Sequence, residues 1–231
     1  MEHKRLTLFA GHYGSGKTNI AVNYAMWLRK TGDPVSIADL DIVNPYFRTK
    51  DSEEMLRNAG IGLICSEYAG TNLDAPAMPP EVYGLLENRE LLGVMDIGGD
   101  DRGALALGRY APAILEENDY EMLFVINSAR PLTRNAADTL EVKQEIETAC
   151  HLPFTAIVNN TNLGTHTTAE DVLRSMDYAK AVSEACGLPI KMHCCDARLY
   201  ADLQGKAEPL FPLTLQRYYY HIQSEVSPWQ N

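Results

Sequence analysis

A glycine-rich segment near the amino terminus constrains the fold more than any other feature of this sequence. Its residues are Gly11-His12-Tyr13-Gly14-Ser15-Gly16-Lys17-Thr18. They match the pattern G-x-x-x-x-G-K-[ST] and lie between a short apolar run and a stretch whose apolar residues recur at helical spacing. This order predicts a strand, a tight loop and a helix that together cradle phosphate groups.

Each residue type in the loop suits phosphate binding for a chemical reason. Gly14 and Gly16 let the backbone approach a phosphate closely and tolerate positive φ. The backbone N–H groups of residues 14–18 are expected to point at the β-phosphate, at the positive end of the helix. Lys17 is expected to bridge the β- and γ-phosphates, and the hydroxyl of Thr18 to coordinate Mg²⁺. The predicted nucleotide contacts of this segment are Gly11, Gly14, Ser15, Gly16, Lys17, Thr18 and Asn19.

Short apolar runs alternate with longer helical stretches along the chain. The predicted strands are Arg5–Ala10, Val35–Ala38, Gly62–Cys65, Leu91–Met95, Glu121–Ile126, Phe154–Val158 and Ile190–His193. The predicted helices are Lys17–Lys30, Glu81–Asn88, Thr133–Cys150, Thr168–Cys186 and Leu215–Glu225. Continuous apolar strands are typical of sheets buried on both faces. We therefore expect one α/β domain over residues 1–231, a three-layer sandwich with a mostly parallel sheet and helices on both faces.

Carboxylates follow two of these strands. The second strand leads into Asp39-Leu40-Asp41, and the strand before residue 96 leads into Asp96-Ile97-Gly98-Gly99. Ligands of parallel sheets bind at the carboxyl ends of the strands, where these side chains should meet the phosphate loop. We expect Asp39 and Asp96, with Thr18, to hold Mg²⁺ or its water ligands. Gly99 is expected to present its N–H group to the γ-phosphate.

The order of these motifs resembles the MinD/ParA group of P-loop NTPases, also called the SIMIBI class, over about residues 5–210. That group has a phosphate loop, a D-x-D segment, a D-x-x-G segment, a strand ending in Asn and a late loop over the nucleotide. The segment 127–133 also resembles the one after the group's fourth core strand. The resemblance implies that Asp41 orients the attacking water, with Lys17 and Asp39 in the same catalytic set. It also implies that Asp196, in the late loop, lies near the base.

One position departs from the group's pattern. MinD and ParA proteins carry a second lysine early in the loop, and in them it reaches across a dimer to the partner's nucleotide. His12 occupies that position here, and Tyr13 replaces the next glycine. The resemblance therefore leaves a homodimer open. Arg48 and Arg102 flank the two carboxylate segments and are candidates to supply the missing cation.

The predicted base is adenine. Asn159 follows an apolar strand, and its amide offers the donors and acceptor that suit the N6/N7 edge of adenine. GTP-specific relatives normally place an Asp a few residues later, and residues 161–165 contain none. The expected ligands are thus ATP and Mg²⁺. The alternative is that Asn159 and Asn160 only cap a turn.

Charge and cysteine content restrict the partners and the compartment. The chain has 20 Lys and Arg against 31 Asp and Glu, a net charge of −11. Because phosphate contacts need cations, we expect no nucleic-acid partner and no membrane partner. The five cysteines form no C-x-x-C pair, which favours a cytoplasmic protein with reduced thiols.

Three functions fit these observations. The first is a Mg²⁺-dependent ATPase that acts as a nucleotide switch for an unidentified protein partner. The second is an ATP-dependent ligase or kinase of the dethiobiotin-synthetase type, with residues 66–80 lining a pocket for a small-molecule substrate. The third is a nucleotide-gated binding module without catalysis.

Overall fold

The computed structural model describes residues 1–41, 49–65, 81–99 and 101–215. Within them, eight strands form one sheet in the order β3-β2-β4-β1-β5-β6-β7-β8, and every neighbouring pair is parallel. The strands are β1 (Leu6–Ala10), β2 (Val35–Leu40), β3 (Gly62–Cys65), β4 (Leu92–Ile97), β5 (Tyr120–Ile126), β6 (Ala156–Asn159), β7 (Ile190–Asp196) and β8 (Leu210–Leu213). The predicted parallel sheet is confirmed.

The helices of the described residues join successive strands or lie between them in the chain. They are α1 (Lys17–Leu28), α2 (Glu53–Asn58), α3 (Glu81–Glu87), α4 (Asp101–Gly108), α5 (Ala111–Glu117), α6 (Ala136–Cys150), α7 (Ala169–Cys186) and α8 (Tyr200–Leu203). The two longest have well-formed starts, because Asn135 caps α6 and Thr168 forms a reciprocal capping box with Asp171 at α7. Gly187, at a φ of 72°, ends α7 in the left-handed conformation. Within the described residues, no helix combines the length and the apolar character that crossing a membrane requires.

Two apolar cores lie on opposite faces of the sheet. Side chains alternate along β1, so Leu6 and Leu8 pack into one core while Phe9 packs into the other. The first core also takes residues of α3 to α7, and the second takes residues of α1 and α2. Complete burial of each such side chain contributes about 1.5–3 kcal/mol. The three predicted layers are therefore present.

Several elements differ from the sequence prediction. Strands β2, β4 and β7 run further, to Leu40, Ile97 and Asp196, because the ladder continues through the aspartates at or near their ends. Helices α2, α4, α5 and α8 and strand β8 were not predicted. Strand β8 contains Pro212, which is compatible with its place at the sheet edge. Helix α6 begins later than predicted, after a 3₁₀ turn at Pro131–Thr133. The predicted helix 215–225 lies outside the described residues apart from its first residue.

Candidate functional site

The glycine-rich loop connects β1 to α1 and is closely surrounded by neighbouring backbone. Gly14 and Gly16 adopt left-handed φ values of 76° and 92°. A Cβ atom on Gly16 would lie 2.3 Å from Nδ2 of Asn160, and one on Gly11 would lie 2.3 Å from the carbonyl oxygen of Val125. A side chain at either position would displace its neighbour, so this loop needs glycine for space as well as for conformation.

Two side chains from other loops fasten the phosphate loop. Asn160 Nδ2 donates a hydrogen bond to the Ser15 carbonyl at 2.7 Å, and Arg130 Nε donates one to the Gly14 carbonyl at 2.8 Å. Within the loop, Ser15 N donates to the His12 carbonyl at 3.1 Å. The loops after β5 and β6 therefore support the backbone of the phosphate loop at Gly14 and Ser15.

Lys17 and Gly99 meet at this loop, as the sequence predicted. Lys17 is buried in the first turn of α1, and its Nζ donates to the His12 carbonyl at 3.3 Å. A Cβ atom on Gly99 would lie 2.7 Å from both Nζ of Lys17 and the backbone nitrogen of Tyr13. The segment after β4 therefore packs directly against the phosphate loop, at the place where a terminal phosphate would lie.

The three carboxylates lie together beside the loop. Strands β2 and β4 are neighbours, and Asp39 is opposite Asp96 in their ladder. All three carboxylate residues are buried, and Asp41 N donates to Asp39 Oδ1 at 3.1 Å. Thr18 also hydrogen-bonds to Asp96, so the helix α1 and the strand β4 meet at this carboxylate. The structure thus brings together the residues predicted to bind Mg²⁺.

Burial raises the pKa of Asp96 to about 7, repulsion from Asp39 acts in the same direction, and Lys17 opposes both. Asp96 is fully buried, and its Oδ1 atom has no hydrogen-bond partner in the described part of the chain. A buried carboxylate in this condition is suited to a hard divalent cation, which prefers oxygen ligands. The Asp39, Asp96 and Thr18 oxygens therefore fit a Mg²⁺ ion.

The side-chain amide of Asn159 is hydrogen-bonded to other residues of the protein. Its Nδ2 donates to Ser175 Oγ at 2.8 Å and lies 3.1 Å from His193 Nδ1. Its Oδ1 accepts hydrogen bonds from the backbone nitrogen and the hydroxyl of Thr161, at 3.2 and 3.0 Å. With both groups occupied and the residue buried, this geometry does not support the adenine contact expected of Asn159. It fits the alternative, in which the amide organises a turn.

Asp196 is occupied by its own loop. Its carboxylate accepts from the backbone and from the guanidinium of Arg198, which also donates to the carbonyls of Thr165 and Thr167. These contacts join the loops after β6 and β7.

Asn19 is half-buried in the first turn of α1, and its carbonyl accepts from Asn23 Nδ2 at 2.7 Å.

Three residues that the sequence analysis did not assign to the phosphate site take part in it. Thr49 is fully buried, and its hydroxyl donates to Asp96 Oδ2 at 3.2 Å. Arg130 and Asn160 fasten the phosphate loop, as described above. Each of the three comes after a strand end or after the D-x-D segment. This position along the chain is the signal in the sequence that could have indicated them. Arg48, the side chain of Arg102 and residues 66–80 lie outside the described structure.

Comparison with known proteins identifies the fold. No family model matches the chain, and no curated protein matches it. Among solved structures, the cell division protein FtsY from Thermotoga maritima aligns with a TM-score of 0.56 at 19% identity, over 81% of this chain and 60% of that one. FtsY from Mycoplasma mycoides gives 0.55 at 18% identity, over 83% and 59%. The 54 kDa signal recognition particle protein from Aeropyrum pernix, in complex with GDP, gives 0.52 at 16% identity, over 83% and 41%.

The chain thus spans about 60% or less of the length of these proteins. At this identity the likeness concerns the fold, which is the α/β fold of P-loop NTPases. It supports the fold expected from the SIMIBI-class resemblance.

Proposed function

We propose that this protein binds a nucleoside triphosphate with Mg²⁺, hydrolyses it, and works as a nucleotide-dependent switch. The observation that carries the proposal is the fully buried carboxylate of Asp96, beside Thr18 and Lys17, whose Oδ1 atom has no hydrogen-bond partner among the described residues. Such a carboxylate is unfavourable for the protein by itself and becomes favourable when a cation is present.

The residues of the site have separate tasks. Lys17 would contact the β- and γ-phosphates, while Thr18, Asp39 and Asp96 would hold Mg²⁺ directly or through water. When bound, the ion neutralises charge that develops on the phosphate oxygens. Asp41, buried two residues beyond Asp39, would orient the attacking water. Catalysis of this kind depends on positioning and charge stabilisation, so the rate without a partner is expected to be slow.

The switch follows from the contact between Thr49 and Asp96. Thr49 directly follows residues 42–48, and its hydroxyl donates to the carboxylate proposed to hold the ion. Binding at the metal site would therefore change a contact made by Thr49. A nucleotide-dependent change of contacts beside the phosphate site is a common way in which a P-loop protein reports its nucleotide state to a partner.

We propose ATP as the nucleotide. The support is the sequence of residues 161–165, which offers no carboxylate to the amino group of guanine. Guanine is the competing base. The structure of the 54 kDa signal recognition particle protein and an FtsY structure from Elizabethkingia anophelis are both complexes with GDP. The internal bonds of Asn159 leave base recognition to other groups, so the choice is best decided by direct measurement.

Calorimetric titration with ATP and with GTP, each with and without Mg²⁺, tests the proposal. We expect tight, Mg²⁺-dependent binding of ATP that Lys17→Ala abolishes. The matched control is Lys30→Ala, at an exposed lysine just beyond the other end of α1, which should bind normally. Tighter binding of GTP would contradict the choice of adenine, and binding of neither nucleotide would contradict the whole proposal.

Phosphate release separates hydrolysis from simple binding. Asp41→Asn should keep the affinity for the nucleotide and lose turnover, because it removes the charge that orients water while keeping the shape of the side chain. Turnover at the wild-type rate would exclude this role for Asp41. Binding without turnover in the wild type would favour a non-catalytic binding module. Turnover that requires a small acid would favour the ligase or kinase.

A further inference from the structure

The side chain of Arg130 lies across the middle of the phosphate loop. Its Nε donates to the Gly14 carbonyl at 2.8 Å. A Cβ atom built on Gly14 would lie 3.4, 3.6 and 3.9 Å from Nε, Cδ and Cζ of Arg130. The planar guanidinium therefore contacts Gly14, in the middle of the loop that is proposed to hold the phosphates.

The backbone around Arg130 is well fixed. Its nitrogen donates to the Asn127 carbonyl at 3.1 Å, and the Thr133 hydroxyl donates to the same carbonyl at 2.7 Å. Pro131 follows directly and restricts Arg130 to its extended conformation. Because the backbone and Nε are both held, little further conformational entropy is lost when the guanidinium binds an anion.

The terminal nitrogens of Arg130 remain available. Within the described residues, the bond to Gly14 is the one hydrogen bond of this side chain, which leaves the Nη atoms without a protein partner. The side chain is half-buried, so part of it faces solvent beside the loop. A guanidinium in this position can bind two phosphate oxygens at once.

The surroundings of Arg130 favour an anion. Ser15 Oγ and Asn127 Nδ2 are buried, and neither has a hydrogen-bond partner in the described structure. Ser15 belongs to the loop that Arg130 contacts, and Asn127 begins the turn that holds Arg130. Both atoms can donate to a phosphate oxygen. The three buried carboxylates would repel a polyphosphate, and the buried Lys17 lies close enough to Asp96 to lower its pKa.

We propose that Arg130 is the second cation of the phosphate site and contacts the terminal phosphate of the triphosphate held by the same chain. The inference rests on the proposed function and deepens it, because it assigns the discrimination between triphosphate and diphosphate to one residue. It is an alternative to the expectation that Arg48 or Arg102 supplies this charge. The hydrogen bond from Arg130 Nε to the Gly14 carbonyl anchors this side chain to the phosphate loop, which makes the guanidinium a fixed part of the phosphate site.

The test compares the affinities for a non-hydrolysable triphosphate and for the diphosphate, both with Mg²⁺, by calorimetry. The variants are Arg130→Ala, Arg130→Lys and the control Arg134→Ala, at an exposed arginine of the same turn. A charge-assisted contact is worth a factor of about ten to a hundred in affinity. Loss of the bond to Gly14 should weaken both nucleotides alike. Arg130→Ala should therefore weaken triphosphate binding by at least about tenfold more than it weakens diphosphate binding.

The two remaining variants sharpen this result. Arg130→Lys keeps the charge and loses the fork that binds both Gly14 and phosphate, so an intermediate triphosphate affinity is expected. Arg134→Ala should bind both nucleotides as the wild type does. Thermal unfolding of each variant without nucleotide verifies that the fold is intact.

The outcomes separate the two proposals. If the wild type binds the triphosphate and Arg130→Ala weakens both nucleotides equally, Arg130 only supports the loop and the inference is overturned. An unchanged triphosphate affinity in Arg130→Ala also overturns it while the proposed function stands. A wild-type chain that binds neither nucleotide overturns the proposed function, and the inference with it.

Discussion

The pH dependence of Asp96 gives the most direct test of the site, and it needs no ligand. Its pKa in the folded protein is about 7, against an ordinary value of 3.8, because the carboxylate is fully buried beside Asp39. Below pH 3.8 the group is protonated in both the folded and unfolded states. Between pH 3.8 and 7 the unfolded chain releases a proton that the folded protein keeps, so the free energy of unfolding falls as pH rises.

The size of the effect follows from the same values. Each tenfold change in acidity corresponds to about 1.4 kcal/mol, so the ionised carboxylate costs the folded protein about 4 kcal/mol above pH 7 and less than about 2 kcal/mol at pH 5. Asp96→Asn keeps the shape of the side chain and removes the charge. We expect the variant to be more stable than the wild type, with a gain that increases between pH 5 and pH 8.

Urea unfolding at pH 5, 6, 7 and 8, without nucleotide or Mg²⁺, measures this difference. The control is Asp177→Asn, at an exposed aspartate of α7, which should change stability by about 0.5 kcal/mol or less at every pH. A gain for Asp96→Asn that does not vary with pH would refute the reasoning. Adding saturating nucleotide and Mg²⁺ should stabilise the wild type more than the variant, because Asp96 then has its cation.

Two further predictions use matched pairs of variants. Gly16→Ala should abolish nucleotide binding in the calorimetric titration, because its Cβ atom would lie 2.3 Å from the side-chain amide of Asn160. The control is Gly32→Ala, at a similar φ of 97° with no atom within 4 Å of the new Cβ, which should bind nucleotide normally. Arg5→Met should lower the free energy of urea unfolding by about 3–5 kcal/mol, because the buried guanidinium donates to Glu117, to carbonyls of α3 and to carbonyls of the turn after it. Arg89→Met removes an exposed partner of the same Glu117 and should cost about 1 kcal/mol or less.

The central part of the site was predictable because its signals are local in sequence. The phosphate loop is a continuous motif, and parallel strands bring their carboxyl ends to one edge of the sheet. Asp39 and Asp96 could therefore be placed beside Lys17 without any knowledge of the side-chain packing. Strand β8 was missed for the opposite reason, since Leu210–Leu213 is short, contains a proline and becomes a strand only by pairing with β7.

The contacts that hold the site could not be predicted in the same way. Asn159 has a side chain that suits adenine, yet its partners Ser175 and His193 come from α7 and β7, 16 and 34 residues along the chain. Arg130 contacts Gly14 across 116 residues. A single sequence contains no information that selects Arg130 over other arginines near strand ends, because the choice depends on how the loops fold over one another.

The two charge imbalances of the site determine how strongly it can act as a switch. A cation would neutralise the buried Asp96 carboxylate and an anion would neutralise the Arg130 guanidinium, so a nucleotide bound with Mg²⁺ would satisfy both at once. A ligand can shift a conformational equilibrium only by its differential affinity for the two states. The Thr49 hydroxyl donates to the Asp96 carboxylate, so a cation that neutralises this carboxylate changes a contact made by the residue directly after segment 42–48. We propose that this contact gives the ion a different affinity for the two states. Removing the charge in Asp96→Asn should therefore stabilise the empty protein and abolish the switch together.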